Sequence, residues 1–208
     1  YGYYLLDWPT HFIKNTYAVL QKIKDFYNEF KPAILFLLRF VITFTVLSLT
    51  YGFWVEGYTE VADPITRNVS GQVRAILSWF YEGVTSTPRV GDPSMDIHIN
   101  GKYSISVFEG CNGVAIFNLF ISFIVGFWGG FKKLAWFGLT GFIIIHIANL
   151  VRLLFLAQMA LTNSPFFHFT HKYLFTLSIY AIVFVLWYFW MNKVNPIKKK
   201  EKTANEPA

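Results

Sequence analysis

Four apolar stretches, each close to the thickness of a membrane, govern what this 208-residue chain can fold into. A hydrocarbon core of about 30 Å takes roughly 20 helical residues, and residues 33–55, 112–128, 134–161 and 172–191 each read as a span. The composition agrees: 54% hydrophobic and 14% charged is too apolar for an ordinary soluble domain. The first stretch is too long for a signal peptide and lies too far inside the chain, with no small-residue cleavage pattern after it. The sequence therefore predicts an all-α membrane protein. Its expected form is a four-transmembrane-helix bundle carrying an extracytoplasmic interfacial helix and a β-hairpin.

The net charge of +6 is a topology signal. Lys14, Lys22, Lys24 and Lys31 precede the first stretch, Lys132 and Lys133 fill the turn between the second and third, and Lys193, Lys198, Lys199, Lys200 and Lys202 follow the fourth. The acids Glu56, Glu60, Asp63, Glu82, Asp92, Asp96 and Glu109 lie in the segment between the first and second. Basic residues in short segments mark the cytoplasmic side, so both termini are expected inside and residues 56–110 outside. No aromatic–basic module accompanies the lysines, which argues against a nucleic-acid partner.

Three regions follow. Residues 1–32 read as a cytoplasmic amphipathic segment, with Ile13, Tyr17, Leu20, Ile23, Tyr27 and Phe30 at helical spacing suited to a membrane surface. Residues 33–191 read as a single transmembrane catalytic domain that includes the outer segment 56–110, and 192–208 as a basic polar cytoplasmic tail. Arg39, about two turns from the basic end of its span, is placed to snorkel to headgroups. In the outer segment, Ile65, Val69, Val73, Ile76, Leu77 and Phe80 predict an interfacial helix after Pro64. Pro88, Gly91 and Pro93 then break the chain. The alternation from Met95 to Val107, centred on Asn100-Gly101, predicts a two-residue hairpin with His98 facing solvent. Gly138 and Gly141 suit close helix contact, and Trp187 and Trp190 an interfacial aromatic belt.

Cys111, the sole cysteine, stands at the outer start of the second span. Arg152 comes 18 residues after Leu134, about 27 Å at a rise of 1.5 Å per residue, which returns it to the outer boundary. His171 opens the fourth span at the same face. A thiol, a guanidinium and an imidazole on three helices are thus expected at one depth. A helix start lowers a thiol's pKa, and Gly110 and Gly113 leave room for a substrate backbone. A lone cysteine is also commonly a small buried hydrophobe, and an arginine at this depth can snorkel. Asn149, on the same helix face as Arg152, is placed to hold the guanidinium. His146, one turn deeper, reads as a buried histidine bonded to a neighbouring helix. His168 and His171 are spaced for a metal, but no HExxH-like pair or nearby carboxylate accompanies them. No metal or cofactor is expected. His171 is the candidate base, with His168 as the alternative.

Glu109-Gly110-Cys111-Asn112-Gly113, Asn149-Leu150-Val151-Arg152 and His171 together resemble the three signature regions of the exosortase/archaeosortase family. Those are a Cys-x-Gly opening one helix, an Asn-x-x-Arg near the end of the next, and a single His (or Arg) opening another. The chain is most similar to the small F-type exosortases. The resemblance implies a membrane-embedded cysteine protease or transpeptidase of the prokaryotic cytoplasmic membrane, with its active site facing outside. Its substrates would be exported proteins ending in a short motif, a transmembrane stretch and a basic tail, cleaved through a thioester and passed to a membrane lipid or lipid-linked acceptor. Cys111, Arg152 and His171 carry over as the catalytic residues, with Asn149, Gly113, Glu109 and His168 as supporting candidates. The rival reading is a non-enzymatic membrane assembly factor or transporter subunit in which Arg152 is structural.

Overall fold

The computed structural model describes residues 8–162, 173 and 175–195, without the side chains of 8–15, 18, 175 and 176. Helix α1 (Trp8–Val55) is a single run of 48 residues, about 72 Å long. The amphipathic stretch and the first apolar stretch are therefore one helix, continuous through Pro32, instead of two elements meeting there.

The segment between the first two apolar stretches begins as its sequence suggests. Helix α2 (Pro64–Leu77) starts with proline in its first turn, and the Asp63 carboxylate accepts from the Ile65 and Thr66 N–H groups at 2.9 and 3.0 Å. Both features satisfy or avoid the orphan donors of a helix start. Val69, Val73 and Leu77 are the buried face of the expected stripe. Three antiparallel strands follow in the order β1 (Val84–Pro88), β2 (Ser94–Ile99) and β3 (Lys102–Phe108). The β2–β3 hairpin turns at Asn100 (φ 52°) and Gly101 (φ 74°), the left-handed pair that a two-residue turn demands. Strand β1 ends on Pro88, where the expected break begins, and has no counterpart among the elements expected from the sequence. It is a five-residue edge strand of Val, Thr and Ser whose terminal proline an edge tolerates. His98 is half-buried and packs edge-on to Tyr103, since the two occupy paired positions of the hairpin.

A 3₁₀ turn (Glu109–Cys111) leads from β3 to α3 (Val114–Gly126), then α4 (Phe131–Leu161), α5 (Phe175–Phe189) and a π turn (Trp190–Val194). Three helical stretches, Val19–Val55, Phe131–Leu161 and Leu177–Val194, are long and apolar enough to cross a membrane. The stretch expected at 112–128 yields only 13 helical residues, about 20 Å. The Gly113 turn starts this helix late and the chain leaves it at Phe127. There the Phe127 carbonyl accepts from Trp190 Nε1 (3.2 Å) and Asn195 Nδ2 (2.8 Å).

Two apolar cores stack along α4. Phe120, Ile124, Phe137, Ile145, Val183, Leu186 and Trp190 form one, where α3, α4 and α5 meet. Gly141 makes this possible, because a Cβ there would lie 2.2 Å from the Phe120 ring. Trp190 is fully buried, and Trp187 stacks on Phe123 at 4.1 Å between centroids. These tryptophans pack inward instead of forming the expected belt, Trp187 against Phe123 of α3 and Trp190 against Phe137 of α4 at 5.2 Å between centroids. The other core joins α2 and the sheet to the last turns of α4, through Leu150, Leu153, Leu156 and Ala157. At 31 residues α4 is about 46 Å long, well beyond a hydrocarbon core. Its last turns are the post on which the layer of α2 and the sheet sits.

Candidate active site

Cys111 ends the 3₁₀ turn and is 4% exposed. The turn is fixed from two sides. From α4, Asn149 Nδ2 donates to the Cys111 carbonyl at 2.8 Å. From α1 and α2, Asn112 Nδ2 donates to the Tyr51 hydroxyl at 2.6 Å and to Thr66 Oγ1 at 3.1 Å, and Thr66 Oγ1 donates in turn to the Asp63 carboxylate. The Asn112 Oδ1 atom accepts from the Val114 N–H at 3.0 Å, tying the turn to the start of α3. Gly113 adopts φ 88°, and a Cβ there would press on the Asn149 side chain at 3.4 Å. Buried side-chain bonds of this kind over-determine a backbone, so the thiol is held at one place.

Asn149 thus serves the cysteine turn in place of the guanidinium it was expected to hold. The two glycines also answer to the chain's own packing: a Cβ on Gly110 would lie 2.5 Å from the Phe108 ring, so that space is occupied by Phe108 and is not open to a substrate.

Arg152, half-buried one turn beyond Asn149, is close enough for its charge to act on the thiol. Its Nε is buried without a hydrogen-bond partner among the described residues. Burial pushes the Cys111 thiol up, and the Arg152 charge and a backbone hydrogen bond at Phe108 offset only part of that. The lowering expected from a helix start does not prevail. Cys111 precedes α3 by a turn and belongs to the buried apolar cluster that includes Leu150, Leu153 and Val107, where a charged form is poorly solvated. At neutral pH it is therefore the neutral thiol.

The structure brings Cys111, Asn149, Gly113 and Arg152 together. Glu109 is exposed on the rim. His146 Nε2 pairs with Gln72 Oε1 of α2 at 2.8 Å, the interhelical bond the sequence suggests. Both His168 and His171 lie outside the described residues. Among the described residues no cluster of three His, Cys, Asp or Glu side chains is placed to hold a metal ion.

Cys111 opens onto a cleft of about 780 Å³ between β3 and the end of α4. Ser94, Ser104, Ser106 and Glu109 line one side and Leu153, Leu156, Met159 and Ala160 the other. Neither the cleft nor the Asp63–Thr66–Asn112–Tyr51 chain is visible in the sequence as a site. Asp63-Pro64 is a legible helix start, but its partnership with Asn112 spans 46 residues through Thr66. Comparison with family models, with curated proteins and with solved structures returned no match.

Proposed function

We propose that this chain is a membrane-embedded cysteine transpeptidase or protease of the exosortase kind, acting on C-terminal sorting signals of exported proteins. The observation that carries the reading is a cysteine locked at the head of a cleft, under the influence of an arginine whose Nε has no hydrogen-bond partner among the described residues. A buried guanidinium nitrogen left without a partner is costly, and a site that must accept a transient oxyanion justifies keeping it.

In this reading His171 takes the Cys111 proton as sulfur attacks the scissile carbonyl, and Arg152 stabilises the oxyanion of the tetrahedral intermediate. Collapse of the intermediate breaks the C–N bond, and His171 returns the proton to the departing amine. An acceptor nucleophile, or water, then attacks the thioester carbonyl and releases Cys111. The membrane supplies the geometry: the three apolar helices anchor the chain with both termini in the cytoplasm, α3 completes the bundle as a short fourth member, and the site faces outward in the inner membrane of a prokaryote.

One observation favours the rival, non-enzymatic reading: Cys111 is itself part of an apolar core and is pushed toward its neutral form. The two part at one substitution. Co-expression with an exported protein bearing a motif, an apolar span and a basic tail should give a shortened product, read by C-terminal peptide mapping. Cys111→Ser should reduce that product by about 1,000-fold or more, and Arg152→Lys should fail as well, because a point charge replaces a planar fork. Undiminished processing by Cys111→Ser would remove the nucleophile.

A further inference from the structure

The cleft's wall is built in an unusual way. Tyr103, Ser104, Ile105 and Ser106 all line it, although successive strand residues point to opposite faces. A wall of consecutive residues is a strand seen edge-on. Strand β3 is at the end of the sheet, and among the described residues its outer edge has no backbone partner. The edge runs toward Cys111, three residues beyond the strand's end at Phe108.

A second observation points to a ligand. Ser94 is 2% exposed and lines the cleft, and among the described residues its hydroxyl has no hydrogen-bond partner; Ser106 Oγ, also on the cleft wall, is likewise buried and without a partner among them. Polar groups in that condition ordinarily have a partner in the working state. The cleft's charges narrow the choice. The Arg89 guanidinium is taken by Asp96 (2.9 Å) and Asp92 (3.6 Å), and the remaining charged lining residue is Glu109. Nothing among the described lining residues offers a free cation to an anionic ligand, whereas an edge of N–H and C=O groups matches a neutral extended backbone.

We propose that the substrate binds as an extended peptide that pairs with the free edge of β3 as a fourth strand, bringing its scissile carbonyl to Cys111. This deepens the reading of Cys111 as a nucleophile and rests on it. Alternate side chains of the added strand would face Leu153, Leu156, Met159 and Ala160 on α4, and the intervening ones the Ser94–Ser106 side. Small or apolar residues are therefore favoured at every second position.

The test uses the full chain in detergent micelles and Cys111 alkylation by acetyl-Ala-chloromethyl ketone, by acetyl-Ala-Val-Ala-Val-Ala-chloromethyl ketone, and by two forms of the longer reagent N-methylated at one or the other alternating set of amides. Iodoacetamide is the control. The pentapeptide reagent should react about tenfold faster or more than the single residue, the equivalent of one or two backbone hydrogen bonds. N-methylation should abolish the gain in one set and spare it in the other, since only alternate amides of an added strand face the edge. Met159→Trp, which fills part of the cleft, should also abolish the gain. Equal rates for all chloromethyl ketones beside normal iodoacetamide reaction would overturn edge pairing and leave the nucleophile intact. A Cys111 inert to every reagent would remove both. A length dependence that emerges only on diluting the protein would assign the edge to a second copy of the chain and overturn the proposal.

Discussion

Two opposing effects act on the Cys111 thiol. Burial raises the thiol and Arg152 lowers it, with burial the larger effect. A folded pKa above the unfolded value means the neutral form is favoured by folding. That contribution to stability is complete below the ordinary cysteine pKa of about 8.5 and is lost as pH rises through the folded value. Two measurements follow. Thermal stability of the wild type relative to Cys111→Ala should fall as pH is raised through this range. The alkylation rate of His171→Ala should become half-maximal above pH of about 8.5; a midpoint below that would mean a standing thiolate. Asn149 invites a separate test, because it donates to a carbonyl that no other described side chain reaches. Asn149→Leu should destabilise by about 1–3 kcal/mol through the unpaired Cys111 carbonyl, measured by thermal denaturation in detergent, and an unchanged melting temperature would discount the bond.

The short helix α3 shows what is and is not legible between neighbouring elements. Its apolar run marks a span, yet Gly113 at φ 88° and the Phe127 exit cut the helix to 13 residues. The two caps that permit this, Trp190 and Asn195, come from the far end of the chain. Periodicity finds α2 and the hairpin because Asp63-Pro64 and Asn100-Gly101 carry local instructions. It misses β1, whose pairing is with β2, and it assigns Trp187 and Trp190 to an interface because hydropathy cannot tell a lipid from a neighbouring phenylalanine. The spacing of Gly138 and Gly141 is legible, and the contact it predicts is present. Gly141→Leu should force α3 and α4 apart against the Phe120 ring, at a cost of about 1–3 kcal/mol or more. Tolerance of that change, with unaltered thermal stability, would contradict the packing of the core where α3, α4 and α5 meet.

As a whole, the molecule is a small layer of α2 and the sheet resting on helices long enough to pass through a membrane, with Cys111 at the junction of the two. Depth along a helix is simple arithmetic, so the approach of Cys111 and Arg152 can be read from the sequence. The cleft cannot be, since it forms between a strand edge and a helix end that meet only in three dimensions. Placing that junction on the outer face requires Cys111 to react from outside. The most direct measurement is its alkylation rate by a membrane-impermeant maleimide added to intact cells at neutral pH, for the wild type, Arg152→Gln and His171→Ala. A wild-type rate at least about tenfold above both variants is the expected result. Equal rates in all three proteins, or protection of Cys111 until the cells are lysed, would contradict an outward-facing catalytic cysteine.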